Sequence, residues 1–147
     1  MNVIEEKIQS LENIQRSIDI YVKEIIEVNE DVIIDMNVNK QLYELGVNSN
    51  DISLDSFAPY HRITVEYKLA KNQPIDRVTL RDTGAFHRSF YVIAYDSHFT
   101  IYASDDKAEA LIFKYGDDIL GLTPDNLNIL TWEYVYEALI KKIKSAI

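Results

Sequence analysis

Asp82-Thr83-Gly84 is the string in this chain that most invites a chemical reading. Aspartic proteases carry that tripeptide on a loop of a β-rich fold. Two copies meet there, and two carboxylates share one proton. Here the flanks, Leu80-Arg81 before and Ala85-Phe86-His87-Arg88 after, read as helical, and the glycine-rich flap of a retroviral-type protease is missing. Asp82, His87 and Ser89 are also the residue types of a hydrolase triad. Spacings of five and two on one helix turn them to different faces, and no G-x-S-x-G elbow is present. His61, His87 and His98 show neither H-x-x-x-H nor H-x-H spacing, so no zinc site is specified. No cofactor is expected. Arg77, Arg81 and Arg88 form a small basic cluster in an acidic chain. They suit either salt bridges to nearby carboxylates or docking onto an acidic neighbouring subunit. The ten tyrosines suit core edges or a large protein interface.

The same residues make better sense as structure. Thr83 can accept a capping bond from the turn after Gly84, and Asp82 puts negative charge at a helix start. Phe86 and Phe90 lie four apart and stack on one face, with Ser89 beside them. Val78 and Leu80 form an extended lead-in. The expected order is strand end, cap, short helix, first sheet strand. Asp82 then holds a helix start and an arginine.

A chain of 147 residues fits one domain, 1–147. Its 47% hydrophobic and 27% charged residues are ordinary for a globular protein. With no cysteine, thiolate metal sites, disulfides and cysteine nucleophiles are excluded. The net charge of -9 argues against affinity for nucleic acid phosphates. No apolar run approaches the roughly 20 residues that span a bilayer, and the acidic start is unlike a signal peptide. A host cytoplasm, or a particle assembled there, is the expected location, with no membrane partner.

The elements that must position the central stretch follow from periodicity. Residues 3–28 read as one long helix with Ile4, Ile8, Leu11, Ile18, Val22 and Ile25 on a near-heptad stripe. That stripe is wider than one small sheet face needs, so a subunit-packing role competes with packing on the chain's own sheet. Asp31 to Val38 alternates like a half-buried strand. Lys40 to Leu45 makes a helical turn closed by Gly46. Residues 47–59 form a long polar loop able to reach a neighbour. Tyr60 to Ala70 reads as a helix with Ile63, Tyr67 and Leu69 inward. Tyr91 to Tyr95 and Phe99 to Ala103 give a hairpin signal. Asp105 to Tyr115 is helical, with Ser104 able to cap it. Thr123-Pro124 opens the last helix, 123–145, which buries Trp132, Val135, Tyr136, Leu139, Ile140 and Ile143. The fold class is α+β: a long N-terminal helix, a small mostly antiparallel sheet with a short central helix, and a C-terminal helix.

One resemblance rests on particular strings. Gln41-Leu42-Tyr43-Glu44-Leu45-Gly46, Tyr60 through Tyr67-Lys68, Gln73-Pro74, and Val78 through Phe90 resemble small virion proteins of tailed bacteriophages, including those of crAss-like gut phages and prophages. The piece Leu80-x-Asp82-Thr83-Gly84-x-Phe86-x-x-Ser89-Phe90 is similar to a helix of phage neck and tail-completion proteins. The likeness covers roughly residues 41 to 120; the C-terminal helix departs from it. It implies a structural, non-enzymatic subunit of a homo-oligomeric ring, of six or twelve copies, in the portal, neck and tail region of the virion. It also implies contact with the portal or adjacent ring proteins, and passage of phage DNA without specific binding. Arg77, Arg81, Arg88, Ile4, Ile8 and Leu11 are then the interface candidates. The competing expectations are a small cytoplasmic aspartic-type hydrolase centred on Asp82 and a binding module outside the virion.

Overall fold

Helix α1, Val3–Val28, begins where Asn2 and Glu5 cap each other's backbone N–H groups. Such a capping box satisfies two donors that a helix start otherwise leaves open. The structure, a computed structural model, describes residues 2–146. At Asn29 the backbone leaves helical geometry, and helix α2, Glu30–Asp35, follows. It continues without a break into a π-helical segment, Met36–Leu45, ended by Gly46 at φ 64°. The alternation at 31–38 therefore does not mark a strand. Ile33, Met36, Asn37, Gln41 and Leu42 are all buried, at helical spacings of three to five. Tertiary burial at that period overrides the β-branched bias of Val32, Ile33 and Ile34.

Residues 47–59 are tied down rather than loose. Val47 pairs with Ser53 in an isolated antiparallel bridge, and a 3-10 turn follows at Leu54–Ser56. Asn48 and Leu54 are buried. Ser49 N–H donates to the Asp118 carbonyl at 2.8 Å and the Asn50 amide to the Asp118 carboxylate at 2.7 Å. The polar half of this loop docks on its own chain, not outward.

Helix α3, Arg62–Ala70, is turned the opposite way from expectation. Ile63, Tyr67 and Leu69 face outward and Lys68 is buried. Its ammonium donates to the Arg81 carbonyl at 2.7 Å and lies over the Tyr60 ring. A hydrogen-bonded anchor on the central loop decides the helix orientation against apolar periodicity.

A short helix α4, Ala85–Arg88, leads into strands β1, Phe90–Ala94, and β2, Phe99–Ala103. They form a two-stranded antiparallel sheet, with Tyr91 opposite Tyr102 and Val92 opposite Ile101. Phe90 and Ile101 turn inward, while Tyr91 and Tyr102 stack on the outer face at 5.4 Å. The Glu30 carboxylate takes the Val92 N–H at 2.9 Å and so occupies a backbone donor of the sheet.

Helix α5 is shorter than expected, Ala108–Tyr115, and Asp105 rather than Ser104 accepts at its start, from Lys107 N–H. A 3-10 turn, Asp117–Ile119, leads on toward Thr123, which caps helix α6, Pro124–Ile129, as the Thr-Pro pair predicts. A second π-helical segment, Leu130–Tyr136, joins α6 to helix α7, Glu137–Ala146. The i→i+5 turns shift the phase of the apolar positions. Trp132 and Tyr136 are consequently exposed, their rings 5.3 Å apart, not buried as the uniform helical period implies. The fold is α+β, largely helical, with one core cluster running from Ile26 to Leu130.

Candidate functional site

Residues 76–90 are held by every neighbouring element. Arg77 donates to the Tyr43 carbonyl at 2.7 Å and pairs with Asp76 at 2.6 Å. The guanidinium groups of Arg77 and Arg81 both lie over the Tyr43 ring, at 5.9 and 5.3 Å. Next to them the backbone passes so close to Gly46 that a Cβ there would sit 2.8 Å from the Val78 carbonyl oxygen. Val78 and Thr79 are fully buried, and Thr79 N–H donates to the Tyr60 hydroxyl at 2.9 Å. The lead-in is not a strand end: Leu80 is buried with φ 57°. A leucine in that region costs about 1–2 kcal/mol and persists only where surroundings fix it. The fixing bonds are Lys68 to the Arg81 carbonyl and Gln73 to the Asp82 carbonyl, 2.9 Å.

Asp82 binds lysines and no arginine. It pairs with Lys71 and, at 3.5 Å, with Lys107. The Lys71 hydrogen bond, with further help from both lysine charges, holds its carboxyl below the usual aspartate range despite some opposing desolvation. Its charge partners are thus cations. The proton-sharing carboxylate pair of an aspartic protease is not assembled around it within the described residues. Thr83 accepts the Ala85 N–H at 3.2 Å but does not cap α4: Gly84 takes the N-cap position at φ 91°, and no side chain caps the helix start.

Phe86 and Phe90 are buried and meet edge to face, ring centres 5.0 Å apart. Ser89 donates its hydroxyl to the Phe86 carbonyl at 2.7 Å. His87 is turned inward, with Nε2 2.9 Å from the Thr79 carbonyl, which requires that nitrogen to carry the proton. Burial drives its pKa down to about 4; the Thr79 bond opposes this, and the Arg81 and Lys68 charges add to it. His87 and Ser89 therefore serve separate backbone carbonyls and share no hydrogen bond. His61 lies on the surface; His98 stacks on Tyr95 at the hairpin tip. No group of three or more His, Asp or Glu side chains positioned for a metal occurs among the described residues.

Of Arg77, Arg81 and Arg88, only Arg77 forms an ion pair among the described residues. Arg88 reaches the Thr83 carbonyl at 3.4 Å. Arg81 and Arg88 line a groove of about 450 Å³ whose far wall carries Asp31 and Asp35. On the other side of the loop a groove of about 350 Å³ runs between Tyr60, Lys68 and α5.

The remaining candidates sit apart from this hub. Ile4, Ile8 and Leu11 are 71%, 50% and 52% exposed, and α1 becomes buried only at Ile14. Its second half packs against α7, where Lys142 pairs with Glu24 at 3.0 Å.

A further fixed point escapes sequence reasoning. Gln41, fully buried, accepts from Thr123 N–H at 2.9 Å and the Asn126 amide at 2.8 Å, and donates to the Gly121 carbonyl at 2.8 Å. Asn37 brackets Ile119 and Gly121 in the same way. The signal was two amides four apart beside apolar residues, which a strand reading hides. No protein family matches the chain, and no curated protein or solved structure matches it.

Proposed function

We propose that this chain is a structural subunit that assembles with copies of itself, as a ring in the portal, neck and tail region of a tailed phage. The observation that carries the self-assembly is the free first half of α1. About three turns of well-capped helix carry Val3, Ile4, Ile8 and Leu11, each at least half exposed, before the first buried residue, Ile14. Burying each such side chain is worth about 1.5–3 kcal/mol. A neighbouring copy supplies that burial. The central stretch supports the reading from the other side, because its fixed hydrogen bonds make a rigid hub rather than an open reaction centre. The station on a virion rests on the likeness of the Leu80–Phe90 string to neck and tail-completion proteins. The net charge of -9 fits a lumen along which DNA slides without sticking.

Mass spectrometry of purified virions from the phage that encodes the chain tests the placement. The chain should be present in a fixed, low copy number and map to the neck by immunogold labelling. Its absence from the particle sinks the virion reading.

A further inference from the structure

We infer that the α1 end of one copy docks on the outward face of α3 of the next copy. This makes the contact head-to-tail rather than arm-to-arm, and it rests on the self-assembly reading above. Two exposed apolar faces need cover. One is the α1 end, with Val3, Ile4, Ile8 and Leu11. The other is α3, where Ile63 and Tyr67, four apart, are 70% and 66% exposed. They wall a groove of about 460 Å³ that continues to Lys71, Gln73 and Asp82. At about 1.5 Å per residue, the eleven exposed or half-exposed residues before Ile14 extend farther than the nine of α3, so one arm can cover that helix.

Charge decides the pairing. The arm carries Glu5, Glu6 and Glu12 against Lys7. Two arms laid together set acid against acid. The α3 groove carries Lys68 and Lys71 against Asp82, and the flanking Arg62 and Glu66 pair with each other at 3.4 Å, which leaves the groove net positive in a chain that is acidic overall. The other exposed aromatic pair, Trp132 and Tyr136, is flanked by Glu133 and Glu137 and repels the arm. Opposite potentials set register and suppress the wrong partner. A contact between two different patches propagates from copy to copy and closes into a ring when the rotation allows.

The absence of cysteine gives a clean test. Ile8→Cys and Tyr67→Cys replace exposed side chains, and circular dichroism checks that each variant keeps the wild-type fold. Mixed under mild oxidation, the two should give one covalent dimer, while each alone gives none. The double variant should give a ladder of covalent oligomers. Covalent dimer from Ile8→Cys alone, or from Tyr67→Cys alone, overturns the pairing, as does no cross-link at all. Light scattering separates the two proposals. Wild-type oligomers without the mixed cross-link defeat this docking and leave self-assembly standing; a wild-type monomer at the highest soluble concentration defeats both. A mixed cross-link from a chain missing in virions keeps the docking and removes the virion placement.

Discussion

Acidification from about pH 8 to about pH 5 should cost this fold about 2 kcal/mol through one side chain, His87. Its imidazole is buried between Phe86, Phe90 and the Thr79 carbonyl, with the Arg81 and Lys68 cations nearby, and its pKa falls to about 4 from the ordinary 6.5. Above the ordinary value both folded and unfolded chains hold it neutral, and its contribution to stability is complete. As the pH falls through 6.5 the unfolded chain takes up the proton and the folded chain does not. Stability is lost progressively until the folded pKa is reached. At about pH 5 the unfolded imidazole is nearly all protonated and the folded one is barely so. The equilibrium shifts about 30-fold, or about 2 kcal/mol.

Urea unfolding at a series of pH values reads this slope, and His87→Gln provides the reference. Glutamine can keep a donor near the Thr79 carbonyl but does not titrate. Carboxylates titrate in both proteins, so the difference between the two curves isolates the imidazole. The wild type should lose about 2 kcal/mol more than the variant between the two pH values. Parallel curves refute the reasoning. So does an NMR titration of the wild-type His87 ring with a midpoint near the ordinary value, a measurement that stands even where the variant folds poorly.

Gln41→Leu should lower stability by several kcal/mol in denaturant unfolding. It strands Thr123 N–H, the Asn126 amide and the Gly121 carbonyl, each at about 1–3 kcal/mol, and a loss below about 1 kcal/mol counts against the clamp. Gly46→Ala should cost about 2 kcal/mol or more in a thermal melt, because the positive φ and the Val78 carbonyl, 2.8 Å from the new Cβ, both oppose it.

What the sequence discloses here is local chemistry. The long helix α1, the Gly46 stop, the hairpin and the Thr123-Pro124 start all follow from residues acting on their near neighbours. The Phe86–Phe90 contact is present as the spacing suggested, but Phe90 already begins β1, so it joins the end of α4 to the strand rather than lying on one helix face. What stays hidden depends on partners far along the chain. The helix at 30–45 is fixed from one side by Asn37 and Gln41, which meet residues about eighty positions later. Lys68 turns α3 inside out because the Arg81 carbonyl needs a donor, and no apolar pattern encodes that. Trp132 and Tyr136 point outward because a π-helical segment resets the phase, which a count at 3.6 residues per turn misses. Asp82 had a similar fate. Its tripeptide suggested a reaction, but its meaning lies in Lys71 and Lys107, one before and one after it in the chain.

The distribution of bonds argues for an assembly part more than any motif does. The fully buried polar side chains Asn37, Gln41, Asn48 and Thr79 are all hydrogen-bonded: Asn37 and Gln41 tie their helix to residues 119–126, and Asn48 and Thr79 hold their own turns. That arrangement specifies one rigid centre. The apolar side chains left outside are not scattered evenly. Three groups of them share a helix face: the exposed start of α1, Ile63 and Tyr67 on α3, and Trp132 with Tyr136, while others such as Val28 and Phe113 stand singly. A monomer gains nothing from a three-turn helix end held away from its own core. On the proposed docking, the α3 face of a neighbouring copy would give the α1 end burial and register. A repeated head-to-tail contact closes into a ring when its rotation completes a full turn without translation, and runs on as a filament when it does not.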